Sequence, residues 1–342
     1  MPRRQSRRMC AYNDRMRAMT ISNGKLVEAE VRRPAPGPGE VLIEVAAAGI
    51  NPADLLQVQG NYPPPAGAPD WPGLEVSGRV TQTGDGVDPG LVGARVAALL
   101  DGGGYAEYCV ARAADLWVLE GGAGQADVIA AAGLPEAVAT MYSNLVFEAG
   151  LDPRDNAGKS VLVHGGSGGV GSSAIQWLHA TGATVFTTAG GAERVTRCEE
   201  LGAEGIDYRT EDFTERVREL TGGRGVDVVL DIIGGAYLQR NLEALAEHGR
   251  LVIIGMQKGK RGELDINLLM RRWLSVRGTV LRARPPEQKA EIMAGVRSHV
   301  VPLIEEGRVR PLVHERLPLS EAAAAQELLA GGGVFGKVLL VP

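Results

Sequence analysis

The apolar run Val161-Leu162-Val163-His164 feeds directly into Gly165-Gly166-Ser167-Gly168-Gly169-Val170-Gly171, and this junction constrains the chain more than any other stretch. Gly166, Gly168 and Gly171 carry the spacing G-x-G-x-x-G at the point where a strand pattern becomes a helix pattern. A pyrophosphate site needs that arrangement. Gly166 is expected to allow the tight turn, Gly168 to let backbone N–H groups approach phosphate oxygens, and Gly171 to let the helix pack on the strand. The helix, expected over Val170 to Thr181, then turns its unpaired N–H groups and positive dipole end toward the anion.

The flanks separate a nucleotide loop from an ordinary turn. Gly182-Ala183 and the β-branched run Thr184 to Thr188 close a βαβ unit of about thirty residues, the length such a unit requires. The alternation then continues. Helices are expected over Glu193 to Leu201, Asp212 to Leu220 and Gly235 to Glu247, with a short one at Ile266 to Arg272. Strands are expected at Gly205 to Tyr208, Val226 to Asp231, Leu251 to Gly255 and Leu274 to Val280. Continuous apolar strands between amphipathic helices predict a six-stranded parallel sheet covered on both faces, a doubly wound Rossmann domain of α/β class.

About twenty residues past the glycines, an NAD site carries a carboxylate that accepts both ribose hydroxyls. Here the place reads Thr188-Ala189-Gly190-Gly191, with no acid at the strand end and Arg194 just beyond. A guanidinium there suits a 2′-phosphate, so NADPH is expected over NADH, although Glu193 beside it works against the charge.

Upstream the pattern changes. Val41 to Val45, Gly78 to Thr81, Arg95 to Leu100 and Tyr105 to Val110 read as short strands punctuated by Gly and Pro, a mainly β module. Strands near Arg310 to Val313 and Gly336 to Val341 would complete it, making the first domain discontinuous. With 342 residues the chain is long enough for two domains. The division expected is an arm over 1–15, a catalytic domain over 16–138, a cofactor domain over 139–283 and a return to the catalytic domain over 284–342.

A net charge of −5 argues against nucleic-acid binding, which points to a small-molecule partner. Cys10, Cys109 and Cys198 lie far apart and form no CxxC, and no span suits a membrane, so a cytoplasmic protein without a structural zinc knuckle is expected. The arginines at positions 3, 4, 7, 8 and 15 surround no apolar stretch, which excludes a secretory signal; a disordered arm or an upstream start codon is expected, with Met16 or Met19 opening the ordered part.

Taken in order, Pro36 to Ile43, Ala48-Gly49-Ile50-Asn51-Pro52-Ala53-Asp54, Gly60-Asn61-Tyr62-Pro63, Pro72 to Gly78, Leu134 to Ala137 and the glycine loop resemble the medium-chain dehydrogenase/reductase superfamily. Within it they resemble the zinc-free quinone oxidoreductases, the zeta-crystallin-like branch. Gly60 to Pro65 and Leu99 to Tyr108 look like the tumour-suppressor-induced group of that branch. The resemblance covers about residues 16 to 342 and implies a GroES-like fold for the first domain.

It further implies pyrophosphate contacts from Gly168, Gly169, Val170 and Gly171, 2′-phosphoadenosine contacts from Arg194 and Tyr208, and nicotinamide contacts from Thr140, Gly255 and Met256. Phe335 would close over the cofactor. The chain departs from the family at Gly165-Gly166-Ser167, where an alanine is common first, and at Gly190, where a serine is common.

Zinc members of the family carry cysteine where this chain has Asn51, and a His-Glu pair where it has Leu74-Glu75; no metal is therefore expected. Asn51 and Tyr62 are candidates to bind or protonate a carbonyl oxygen, and Asp54 is a lower-ranked candidate that could instead hold local backbone or arginine side chains. Asn51 before Pro52 also reads as a turn residue and Tyr62 as a loop tyrosine, so a structural role stands beside the functional one. The activity implied is metal-free hydride transfer from NADPH to a quinone or similar conjugated carbonyl. The alternatives are a 2-enoyl or enone reductase, and a non-catalytic nucleotide- or RNA-binding crystallin-like protein. Relatives pair through the Rossmann edge strand, so a homodimer is expected.

Overall fold

A computed structural model describes residues 14–119 and 127–342. The chain folds as two compact units, one made of residues up to Glu136 together with Pro311–Pro342, the other of Ala137–Arg310.

The first unit opens on an antiparallel hairpin, β1 (Arg15–Ser22) and β2 (Lys25–Arg32), turned at Asn23-Gly24, both with positive φ. Arg15 pairs with Arg32 in that hairpin. Ordered structure therefore includes position 15, which the sequence placed in a disordered arm; residues 1–13 of that arm, with Cys10, lie outside the described residues. Next come β3 (Glu40–Gly49), β4 (Glu75–Thr83), β5 (Arg95–Leu99), β6 (Tyr108–Arg112) and β7 (Leu116–Val118). Asn51 precedes a seven-residue helix, Pro52–Val58, between β3 and β4, with proline at its first position where a missing N–H costs nothing.

The second unit holds the parallel strands β8 (Ser160–His164), β9 (Thr184–Ala189), β10 (Glu204–Asp207), β11 (Val226–Asp231), β12 (Leu245–Ile253) and β13 (Ser275–Gly278). Their order is β10-β9-β8-β11-β12-β13, which reverses direction at β8. Every residue of β8 is buried, as a strand covered on both faces requires. Leu162, Phe186, Val229 and Leu251 share one core with Phe213 and Val217 of the helix Phe213–Leu220. The chain then returns to the first unit with β14 (Val313–Pro318) and β15 (Lys337–Val341), giving a sheet ordered β14-β15-β3-β4-β5-β7 with β6 paired to β3.

The α/β class and the six-stranded sheet agree with the sequence reading, but two boundaries differ. The helix expected to run to Glu247 is a 3₁₀ turn, Gly235–Tyr237, and a helix, Leu238–Ala244; β12 starts at once, with His248 at φ 61. Residues 284–310, placed by the sequence in the return segment, cluster instead with the second unit. Arg284 pairs with Glu148 at 2.6 Å, and His299 on the helix Pro286–His299 accepts or donates a 2.8 Å bond with the Tyr142 hydroxyl. Among the described residues no helix is long and apolar enough to cross a membrane.

Candidate active site

The glycine loop follows β8, the strand at which sheet order reverses, where doubly wound sheets open their ligand crevice. Each glycine has its own reason. Gly165, and not Gly166, takes the left-handed turn, at φ 75. Gly166 is confined by packing, because a Cβ there would overlap Thr187 Oγ1 and stand 3.1 Å from Cys198 Sγ. A Cβ on Gly171 would overlap the Gly165 carbonyl, which is the close helix-on-strand approach expected of it. At Gly168 the protein sets no limit: a Cβ would meet only Gly165 O, at an ordinary 3.5 Å.

Gly168 is the N-cap of the helix Gly169–Ala180, so Gly169, Val170 and Gly171 supply N–H groups with no acceptor inside the helix. Residues 167–170 are half-buried while Gly171 to Leu178 are buried. The loop thus carries backbone donors on a half-buried stretch, the kind of helix N-terminus that suits an anion.

The ends of β9 and β10 form the next group. A Cβ on Gly190 would come 2.5 Å from the Tyr208 hydroxyl and 3.1 Å from Arg209 Nε. Lys258 Nζ lies 5.6 Å from the centre of the Tyr208 ring, and Arg194 sits in the first turn of the helix Ala192–Glu199. Tyr208 and Arg209 thus flank Gly190, with Lys258 beside the Tyr208 ring and Arg194 on the next helix. Arg209 and Lys258 escaped the sequence reading, although Arg209 follows Tyr208 directly. Asp207 nearby accepts the Gly191 and Arg209 N–H groups at 2.9 and 3.0 Å, which hold its carboxyl below the usual range, and Glu193 stands beside Arg194.

On the same strand-end edge, Gly255 follows β12, and a Cβ there would stand 2.7 Å from Ile232 O; Met256 beside it is half exposed. Asp231 closes the β11 turn by accepting the Ile233 and Gly234 N–H groups, and burial pushes its carboxyl up to about 6. The Thr140 carbonyl accepts from Asn144 Nδ2 at 2.7 Å and Ser143 Oγ at 3.1 Å, where the helix Pro135–Tyr142 passes into a π-turn.

The first unit carries a second constellation. Asn51 is buried at the N-cap of the helix Pro52–Val58, where Asp54 Oδ2 accepts the Asn51 N–H at 2.8 Å in a capping box. Asn51 Nδ2 donates to Glu75 Oε1 at 3.0 Å, and its Oδ1 accepts from Lys337 Nζ at 2.6 Å. The ammonium also lies 2.6 Å from Glu75 Oε1, and Glu75 Oε2 accepts the Glu136 N–H at 2.9 Å. Glu75 and Lys337 are almost wholly buried. The sequence reading passed over both as site residues; a glutamate at the start of one strand and a lysine at the start of another carry no pattern that sets them apart from solvated charges.

Asp54 has no exposed surface. Its oxygens accept from the Asn51 and Gly73 N–H groups and the Tyr105 hydroxyl at 2.8, 3.0 and 3.1 Å, and burial raises its carboxyl to about 6. It braces the turn that holds Asn51. Tyr62 is half-buried in the loop between the helix Pro52–Val58 and β4, and Phe335 is buried just before β15. Among the described residues no three His, Cys, Asp or Glu side chains converge as a metal site. Burial pushes the Cys109 and Cys198 thiols up to about 12, so neither is a ready nucleophile.

Two family models match the chain: an alcohol dehydrogenase GroES-like domain over residues 37–121 and a zinc-binding dehydrogenase over residues 169–295. A quinone oxidoreductase from Lama guanicoe is 31% identical over 92% of both chains. A phthioceranic/hydroxyphthioceranic acid synthase from Mycobacterium bovis is 33% identical over 95% of this chain and 15% of its own length. Among solved structures, a mycobacterial protein complexed with NADPH superposes with a TM-score of 0.82 at 30% identity, covering 96% of this chain and 100% of that one.

Proposed function

Since the chain belongs to the quinone oxidoreductase group of the medium-chain dehydrogenase/reductase superfamily, we propose that it transfers hydride from NADPH to a quinone or similar conjugated carbonyl without a metal ion. The observation that carries the reading is the buried amide, carboxylate and ammonium at Asn51, Glu75 and Lys337, in a chain whose glycine loop is open at Gly168. A Zn²⁺ does not fit there. Asn51 and Leu74 supply neither thiolate nor imidazole, and Glu75 Oε1 is engaged by an ammonium.

NADPH when bound supplies the hydride, two electrons that with a proton from solvent take a quinone to its hydroquinone. The chain's own residues bind and orient. The N–H groups of Gly169, Val170 and Gly171 hold the pyrophosphate, and Arg194, Tyr208, Arg209 and Lys258 hold the 2′-phosphate end; NADPH as the cofactor is supported by the mycobacterial neighbour solved with it. Thr140, Gly255, Met256 and Phe335 are assigned to the nicotinamide side, by resemblance. Asn51 and Tyr62 donate hydrogen bonds to the carbonyl oxygen on which negative charge grows, while Asp54 holds the turn beneath Asn51. Ala137–Arg310 is the cofactor-binding unit in this reading and the other unit the catalytic one. We place the protein in the cytoplasm as a homodimer.

Reduction of a 2-enoyl or enone substrate is the second reading, favoured by the identity to a segment of an acid synthase. A turnover screen with NADPH and NADH over benzoquinones, naphthoquinones, enones and a crotonyl thioester separates the two. Quinone turnover with NADPH supports the proposal, and preferred thioester turnover replaces it with the second reading. Binding of NADPH without turnover of any acceptor leaves a nucleotide-binding protein.

A further inference from the structure

Lys337 has three N–H donors and nothing to accept with, and all three are placed: Ile50 O at 2.9 Å, Asn51 Oδ1 at 2.6 Å and Glu75 Oε1 at 2.6 Å. Glu75, facing it, is an acceptor only. The Asn51 amide therefore lies between a group that can only donate and a group that can only accept. A flipped amide would set NH₂ against the ammonium and C=O against the carboxylate, two repulsive contacts in a buried place where such contacts are not screened. Its orientation is fixed by charge as well as by packing.

The fold makes room for this arrangement. A Cβ on Gly49 would overlap Glu75 Oε1, and one on Gly133 would stand 3.2 Å from the Lys337 side chain. A surface ion pair needs no such clearance. Asn51 Nδ2 spends one proton on Glu75 and keeps a second.

We propose that Lys337 and Glu75 are positioning residues that lock the Asn51 amide with its second N–H toward the substrate oxygen. The ammonium on Oδ1 and the carboxylate on Nδ2 together fix which edge of the amide carries its N–H groups. The substrate class follows: an acceptor with a lone-pair oxygen conjugated to the carbon that receives hydride. Asn51 lends a hydrogen bond and transfers no proton. This inference rests on the proposed role of Asn51.

The test compares Asn51→Ala, Lys337→Met, Lys337→Arg and the double variant Lys337→Met/Glu75→Gln. The double removes both charges together and avoids stranding a buried carboxylate, so it reports even where Lys337→Met does not fold. With 1,4-naphthoquinone as acceptor, the double variant is expected to lose kcat by ~10–100-fold, the range found when supporting shells are removed. Its dissociation constant for NADPH should be unchanged, and Lys337→Arg should recover part of the lost kcat. In the cofactor-free protein, the ¹⁵N and ¹H resonances of the Asn51 side chain, assigned by their loss in Asn51→Ala, should move in the double variant. Loss of turnover in Asn51→Ala with full turnover and unmoved resonances in the double variant overturns the positioning role alone. Full quinone turnover in Asn51→Ala overturns the role of Asn51 itself.

Discussion

Gly49 and Glu75 compete for one volume: a Cβ on Gly49 would overlap the Glu75 carboxylate and come 2.7 Å from the Ala132 carbonyl. Gly49 ends β3 without a left-handed backbone, so the clash alone makes it glycine. Gly49→Ala should therefore destabilise by ~1–3 kcal/mol, the usual cost of overpacking, and lower quinone turnover by displacing Glu75. Chemical denaturation read beside kcat checks both, and a variant as stable and active as wild type contradicts the tightness of the pair.

The glycine loop predicts a split between folding and binding. Gly166→Ala and Gly171→Ala overlap protein atoms and should lower the melting temperature. Gly168→Ala meets nothing closer than 3.5 Å and should fold normally, yet lose NADPH binding because its Cβ stands where the pyrophosphate approaches. Thermal melts and calorimetric titration with NADPH read the two effects. Equal binding loss in all three at equal stability would count against the assignment.

At the adenosine end, Arg194→Ala and Lys258→Ala should each weaken NADPH by ~10-fold or more, since hydrogen bonds to a charged group contribute about 1.5–3 kcal/mol. NADH affinity should hold. Fluorescence titration with both nucleotides decides this, and a parallel loss of NADH would show that these cations do not read the 2′-phosphate.

His164 and Asp54 predict opposite pH slopes. Burial lowers the His164 imidazole from 6.5 to about 4, between Thr188 Oγ1 and Asn241 Oδ1. In that window the unfolded chain binds the proton and the folded chain does not. The stability His164 lends is present above pH 6.5 and lost as pH falls through 4, a change of ~3 kcal/mol. For Asp54, raised by burial from 3.8 to about 6, the folded state binds the proton more tightly. Its stability is full below 3.8 and lost as pH rises through 6, again by ~3 kcal/mol. Wild type should thus lose its margin over His164→Leu on acidification and improve relative to Asp54→Asn, as denaturant melts between pH 4 and 7 will show.

Much of the second unit was legible because its signals are local. The glycine spacing and the unbroken apolar strands sit within a few residues of one another, and β8 to β11 fall where the pattern places them. The hairpin β1–β2 was not legible, since β2 alternates exposed and half-buried residues with charges on most turns of the pleat. The helix Pro52–Val58 is too short to show a period. Lys337 was invisible for a different reason. Its burial depends on Asn51, 286 residues away, and no local pattern distinguishes a strand-edge lysine in water from one held by a carboxylate and an amide.

β13 ends the parallel sheet, and Ile266, Met270 and Trp273 just before it are each about two-thirds exposed. Sedimentation should give twice the chain mass, and Trp273→Glu should shift the protein toward monomer. A wild-type monomer at micromolar concentration would remove the dimer from the account.

The most direct test is NADPH oxidation by chelator-treated protein with 1,4-naphthoquinone, followed by loss of the reduced-nicotinamide absorbance. The account predicts steady turnover, undiminished by the chelator and lost by about two orders of magnitude in Asn51→Ala. No oxidation of NADPH with any quinone, or turnover that the chelator abolishes and Zn²⁺ restores, would contradict it.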